Sequence, residues 1–168
     1  MCQTGPESSK IFLGFGSNLG NPKRNIHQAL EHLGESAIKV KSLSSFYLTE
    51  PVGYEAQPWF INAVAEVETA LAPRPLLERC LLVERLMKRK RLQQSGPRII
   101  DIDILFYGEL IIEEGDLSIP HPRMLERKFV LLPLAEIAPA FMHPGARRSV
   151  QDLKQDLHSE KKAVKLLS

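Results

Sequence analysis

Apolar positions along this chain switch between a spacing of two and a spacing near 3.6, and that switching lays out its elements. Lys10 to Phe15 is a short apolar strand running into Gly14-Phe15-Gly16-Ser17-Asn18-Leu19-Gly20. Asn21-Pro22 then opens a helix, with Asn as N-cap and Pro at the first helical position, and Gly34 closes it. Ile26, Ala29, Leu30 and Leu33 form its apolar stripe. Residues 38–48 and 60–69 carry alternating and β-branched positions and read as strands. The Pro- and Gly-marked stretch between them, 49–59, is too long for a tight hairpin, and loops of that length carry function or are disordered. A second helix is expected from about Pro73 to Arg91, burying Leu76, Leu77, Cys80, Leu81, Val83, Leu86 and Met87. A strand around Asp101 and Asp103 follows, then a hairpin near Tyr107-Gly108-Glu109, a Pro-His-Pro segment and one or two helices. Strand–helix–strand–strand–helix–strand is the split βαβ, or ferredoxin-like, order. The expected class is α/β (α+β): a ferredoxin-like βαββαβ core in three α-β-α layers, with an extra C-terminal hairpin and helices. Residues 1–168 are expected to form a single domain, with 1–9 a loose tail and 149–168 a helical extension.

One strand contains its own contradiction. Gly96-Pro97-Arg98-Ile99-Ile100-Asp101-Ile102-Asp103-Ile104-Leu105-Phe106 sets two aspartates among strongly β-forming residues, although Asp is disfavoured there. Residues i and i+2 share a face of a strand, so Asp101 and Asp103 project together about 6–7 Å apart. Ile100, Ile102, Ile104 and Phe106 are then expected on the other face. Adjacent carboxylates repel unless a cation lies between them. Oxygen ligands at this spacing suit one or two Mg²⁺ ions shared with substrate phosphates. The alternative is a solvated strand face, or a carboxylate pair neutralised by Arg98.

Composition narrows the setting. Across 168 residues the apolar share of 43% and charged share of 25% are those of a soluble globular protein, and a net charge of +2 does not suggest wholesale nucleic-acid binding. Cys2 and Cys80 are in no metal-ligand spacing and read as free thiols of a reducing cytosol. The polar N-terminus lacks a signal-peptide core and no apolar run approaches a membrane span, so the expected location is the cytoplasm.

Three further features stand out along the chain. Arg85, Lys88, Arg89, Lys90 and Arg91 crowd the end of the second helix, beyond what the helix dipole calls for; beside paired carboxylates they fit phosphate contact. His121 is held between Pro120 and Pro122, with Arg123 and Arg127 close behind. Trp59-Phe60 with Asn62 offers aromatic faces and a bidentate amide, for core packing or for a heterocycle pocket. The glycines at 14–20 match neither the dinucleotide fingerprint nor a P-loop and indicate only a close backbone turn.

Taken together the segments resemble 6-hydroxymethyl-7,8-dihydropterin pyrophosphokinases of folate biosynthesis. The matching pieces include Gly16-Ser17-Asn18-Leu19-Gly20, Ser44 to Pro51, Phe60-Ile61-Asn62-Ala63, Gly96 to Leu105, Ile119-Pro120-His121-Pro122-Arg123-Met124 and Phe129 to Leu134. They occur in family order across residues 11–144. The resemblance implies an ATP-dependent diphosphotransferase that moves the diphosphate of ATP to the pterin's hydroxymethyl oxygen and releases AMP. It implies two Mg²⁺, bound with ATP by Asp101 and Asp103, and catalytic roles for Arg89, Arg98, Asp101 and Asp103. It assigns ATP binding to Glu84, Arg89, Arg91, Arg98, Ile104, Ser118, His121 and Arg127. Pterin binding falls to Thr49, Val52, Phe60, Asn62, Asp101 and Phe129. ATP and 6-hydroxymethyl-7,8-dihydropterin are the expected partners, with no nucleic acid and no membrane. A monomer is expected, as is a dihydropteroate synthase on a separate chain. The loops at about 50–58 and 88–97 correspond to the family's mobile ones. The chain departs from the family pattern in Lys88-Arg89-Lys90-Arg91, in Leu92-Gln93-Gln94-Ser95, where Arg-Trp is usual before the Gly-Pro-Arg, in Leu81 and in Asp116.

Two rival readings share the fold. A palm-type nucleotidyl transferase needs a carboxylate on the first strand, and Ile11 to Phe15 has none. An RNA-binding module needs exposed aromatics where this sheet carries aspartates.

Overall fold

The structure, a computed structural model, describes residues 9–87 and 96–166. Lys88, Arg89, Lys90, Arg91 and residues 92–95 lie outside the described residues, as does Cys2. The chain forms β1 (Ile11–Ser17), α1 (Pro22–Glu35), β2 (Lys39–Leu43), β3 (Tyr47–Thr49), β4 (Phe60–Glu68), α2 (Pro73–Leu86) and β5 (Asp101–Tyr107). A hairpin of β6 (Ile112–Glu114) and β7 (Leu117–Ile119) follows, then a 3-10 turn (Met124–Glu126), α3 (Lys128–Ile137), α4 (Val150–Gln155) and β8 (Ala163–Lys165). The main sheet runs β5-β1-β4-β3-β8 with β2 also on β4, and its pairs are antiparallel. This is the mixed α+β, ferredoxin-like order, with β1 and β4 as its inner strands.

Alternation along β1 divides the molecule into layers. Ile11, Leu13 and Phe15 pack with Ile26 and Leu33 of α1 and Leu76, Cys80 and Val83 of α2. Phe12 on the opposite face packs with Val130, Leu131 and Leu134 of α3 and Val150 of α4. Asn21 caps α1 by accepting from the Arg24 amide, as the sequence indicates. The helix continues through Gly34 to Glu35, and the left-handed residue after it is Ala37, at φ 59°.

Several expectations need correction. The strand expected over 38–48 is broken into β2 and β3, because the Ser44 hydroxyl accepts from the Val64 amide and takes over a ladder position. Leu86 is exposed rather than buried, because the inward face of α2 is set by Leu76, Cys80, Val83 and Met87. The β6–β7 hairpin turns at Gly115-Asp116, not at Gly108, which instead donates its amide to the Lys10 carbonyl after β5. Phe106 leaves the face of Ile102 and Ile104. The β1–β5 register slips between Phe12 and Leu13, so Leu105 and Phe106 both join the α3-side core, where Phe106 meets Phe12 edge-on at 6.1 Å. The expected helical extension is helix only over Val150–Gln155. Its end is the strand β8, which pairs with β3, the Glu50 amide donating to the Lys162 carbonyl and the Lys162 amide to the Glu50 carboxylate.

Two buried titratable groups lie away from the cavity described below. Burial pushes the Cys80 thiol up to about 12, leaving it an apolar filler. The His143 ring packs on Phe106, and Nδ1 accepts from the amides of Gly145 and Ala146, so the ring holds its loop in the neutral form. Burial lowers its pKa below the usual 6.5. Unfolded chains therefore bind this proton first, and the stability it contributes, full above about pH 6.5, is lost as pH falls toward the lowered folded value. His143→Asn keeps an acceptor near Nδ1 but does not titrate. Urea midpoints measured from pH 8 to 5 are expected to fall more steeply in wild type than in this variant. Among the described residues no helix is long and apolar enough to cross a membrane.

Candidate active site

On the α3 side of the sheet, α3 and α4 leave one end of β1 uncovered, and a cavity of about 430 Å³ opens there. Its floor is made by absent side chains. Gly14 and Gly16 lie on that face of β1, opposite Asp103 and Asp101 of β5, and opposite Val64 and Asn62 of β4. The glycines thus expose backbone between an amide on one side and two carboxylates on the other. Their alternation is the same period of two that aligns the aspartates, so the signal was present in the sequence.

Asp101 and Asp103 share the cavity face, as strand geometry requires. Arg98 Nη1 donates to Asp101 Oδ2 at 2.9 Å, and the guanidinium carbon lies 5.6 Å from the centre of the Phe60 ring. His121 Nε2 stands 4.0 Å from Asp103 Oδ2. The bulge in β5 turns the Leu105 carbonyl to accept the His121 amide, which fixes the Pro-His-Pro segment beside the carboxylates. Nδ1 of His121 accepts from the Arg123 amide, so in the neutral ring the proton sits on Nε2, facing the cavity. Burial, then Arg127, push its pKa down to about 4. Arg127 directly precedes α3 and lies over the Phe129 ring at 5.4 Å; burial lowers its pKa, and Asp103 opposes that shift. Arg98, Arg123 and Arg127 all line the cavity around the two carboxylates.

The other end of the cavity is apolar with one amide. Asn62 and Thr49 are buried, and Asn62 Nδ2 donates to Thr49 Oγ1. Phe60, Phe129 and Val52 complete this end. Buried polar atoms persist only when bonded, and the Asn62 carboxamide keeps an oxygen toward Gly16.

Of the residues expected in the site, the structure brings together Thr49, Val52, Phe60, Asn62, Arg98, Asp101, Asp103, His121, Arg127 and Phe129. Arg89 and Arg91 lie outside the described residues. Three side chains fall elsewhere. Ile104 is in the core facing α1 and α2, and Ser118 lies in β7 opposite Glu113. Glu84, 4% exposed on α2, accepts the Ile102 amide at 2.9 Å, so it holds β5 from behind, between the two aspartates. Asp116 is paired with Arg74 on the surface. Sequence reasoning missed Gly14, Gly16 and the lining role of Arg123, and gave Asn18 no role.

The likeness to known proteins follows the same residues. A family model described as 7,8-dihydro-6-hydroxymethylpterin-pyrophosphokinase (HPPK) matches residues 12–139. The chain belongs to this family. The 2-amino-4-hydroxy-6-hydroxymethyldihydropteridine pyrophosphokinase of Haemophilus influenzae is 38% identical over 92% of this chain and 96% of its own length. The enzyme of that name from Methylorubrum extorquens is 43% identical over 82% and 87%. The folic acid synthesis protein fol1 of Pneumocystis carinii is 43% identical over 86% of this chain, which spans only 20% of that longer protein. In solved structures, the wild-type HPPK-DHPS of Plasmodium falciparum with pteroate shares the fold at a TM-score of 0.72 and 18% identity, over 89% of this chain and 42% of that one. The HPPK match ends at Pro139, before α4 and β8.

Proposed function

We propose that this HPPK-family chain transfers the β,γ-diphosphate of ATP to the hydroxymethyl oxygen of 6-hydroxymethyl-7,8-dihydropterin, releasing AMP. A bond forms between that oxygen and the β-phosphorus, and the bond from the β-phosphorus to the α,β-bridging oxygen breaks. AMP leaves with the bridging oxygen, and the hydroxyl proton is released to solvent. The observation that carries this reading is the polarity of one cavity. An aromatic-and-amide end of Phe60, Phe129 and Asn62 adjoins a charged end of Asp101, Asp103, Arg98, His121 and Arg127. A flat heterocycle fits the first and a polyphosphate the second.

Phosphoryl transfer asks chiefly for alignment and charge neutralisation. Asn62 would read the donor–acceptor edge of the pterin while the two phenylalanines hold its faces, with backbone groups of Thr49 and Val52 closing the pocket. Arg98, Arg127 and the Nε2–H of His121 would grip phosphate oxygens. A neutral imidazole donates there without adding a further buried cation beside the arginines. Arg89 and Arg91 are assigned to the phosphates on the resemblance alone, and Ile104 and Ser118 would meet the nucleotide through groups other than those lining the cavity.

The donor set fits Mg²⁺. Among the described residues no group of three or more His, Cys, Asp or Glu forms a metal cage. Two carboxylates on one face supply hard oxygens and leave the remaining positions to phosphate and water, as Mg²⁺ prefers. Asp101 and Asp103 would hold two ions together with ATP. Bound Mg²⁺ supplies neutralisation of phosphate charge and a lowered pKa at the attacking hydroxyl.

The direct test is AMP release from ATP and hydroxymethyl-dihydropterin, with and without Mg²⁺. AMP formed only with both pterin and Mg²⁺ supports the reading; free pyrophosphate as the product rejects it. Arg98→Ala is expected to lower kcat about 100-fold with a smaller change in the KM for ATP, since charge on the phosphates grows in the transition state. A change confined to KM reduces Arg98 to a binding residue.

A further inference from the structure

Asn18 was part of a glycine stretch with no assigned chemistry, and the structure gives it one. It follows β1 directly and is 4% exposed. Its Nδ2 donates to the Pro58 carbonyl at 2.8 Å and to Gln57 Oε1 at 3.0 Å. Its Oδ1 accepts the Arg98 amide at 2.9 Å, and its own amide donates to the Arg98 carbonyl at 3.1 Å. One side chain therefore ties together two segments far apart in sequence. The first is the loop before β4, which carries Val52 and runs into Phe60 at the apolar end of the cavity. The second is Gly96-Pro97-Arg98, which brings the guanidinium onto Asp101 and over Phe60.

A primary amide suits this place because it supplies two N–H donors and an acceptor from one planar group. Asp lacks the donors, Ser lacks the span, and a buried donor or acceptor left without its partner costs the loop its set position.

We propose that Asn18 is a positioning residue that couples the pterin end of the cavity to the phosphate end, so that filling either end sets the other for its ligand. The proposal rests on the functional reading above and deepens it. Asn18 does not line the cavity; it acts through Gln57-Pro58 on one side and Arg98 on the other. Coupling of this kind is reciprocal: nucleotide tightens pterin binding by the same factor by which pterin tightens nucleotide binding.

The test is calorimetric titration of 6-hydroxymethylpterin and of Mg²⁺ with α,β-methylene-ATP, in which the bond to be broken is blocked. Each is measured alone and in the presence of the other. Wild type is expected to show a coupling factor of about 10 or more, and Asn18→Ala to bring it within about 2-fold of unity. Asn18→Asp keeps size and the acceptor for Arg98 but sets a carboxylate against the Pro58 carbonyl. It is expected to weaken pterin binding about 10-fold while nucleotide binding alone moves within about 2-fold. A coupling factor that survives Asn18→Ala overturns the role of Asn18. So does Asn18→Asp if both affinities and the Tm fall together, the mark of a purely structural residue. Wild type that binds neither ligand overturns the functional reading and the coupling with it. Wild type that binds both without coupling overturns the coupling alone.

Discussion

Asp103→Ala is expected to lower Mg²⁺-dependent AMP release by about 1,000-fold or more, and Asp101→Ala likewise, with the fold intact. Both carboxylates project from β5 into the cavity over the bare backbone of Gly14 and Gly16. Both keep partial contact with water, at 33% and 24% side-chain exposure for Asp103 and Asp101. Losing Asp101 costs the folded state its ion pair with Arg98, and losing Asp103 a contact with the neutral His121 ring, each at an open cavity and worth about 1 kcal/mol or less. Removing a carboxylate also relieves its repulsion by the other. The catalytic loss is far larger, since no third protein carboxylate among the described residues completes a cage. Asp103→Asn separates charge from shape: it keeps the size and a hydrogen-bonding oxygen but gives a poor ligand for Mg²⁺. AMP release at saturating ATP and pterin over a Mg²⁺ series, beside thermal melts, checks the set. Near-wild-type turnover in either alanine variant overturns the metal assignment. Recovery in the asparagine variant at ordinary Mg²⁺ reduces the carboxylate to a hydrogen-bonding role.

The layers of the fold were legible because both periods are strong. The stripe Ile26, Ala29, Leu33 and the alternation Ile11, Leu13, Phe15 describe surfaces that can be buried only against each other. The paired aspartates were legible for the same reason, since Asp at alternate positions of an apolar strand has no place in a core. Where the reading failed, a local register or a distant partner decides the outcome. Strict alternation puts Phe106 with Ile104, but one bulge in β5 moves Phe106 into the aromatic cluster with Phe12 and Phe141. That bulge also exposes the carbonyl that seats His121, so the misplaced residue and the placed histidine have one cause. The tail Ala163–Lys165 has no pattern of its own that marks a strand. It is a strand because the edge of β3 and the Glu50 carboxylate give its backbone partners. Glu84 and Asn18 are similar cases. The sequence shows a buried-face acid and a turn amide, and only the fold shows that one holds the Ile102 amide while the other holds two loops.

Gly16→Ala is expected to raise the KM for pterin about 100-fold while the protein still folds and still binds nucleotide. The new methyl would lie 2.8 Å from Asn62 Oδ1, closer than carbon and oxygen tolerate. The backbone does not resist the change, because Gly16 sits in ordinary extended conformation within β1, where Ala is less costly to order than Gly by about 0.5 kcal/mol. What yields is the Asn62 carboxamide, the far end of a side chain. Its Nδ2 is bonded to Thr49 Oγ1, so turning away breaks that buried bond, at about 1 kcal/mol. The two backbone and side-chain effects nearly offset each other in stability, yet the group proposed to read the pterin edge is displaced. Gly14→Ala makes the contrast: its methyl meets Leu105 at 3.4 Å, an ordinary contact, and a smaller effect on pterin is expected. A double-mutant cycle assigns the cause. If Gly16→Ala acts through Asn62, then in an Asn62→Ala background it adds less than about 2-fold to the loss already suffered. If the two losses multiply, the methyl obstructs the pterin directly and Asn62 is not the group it displaces.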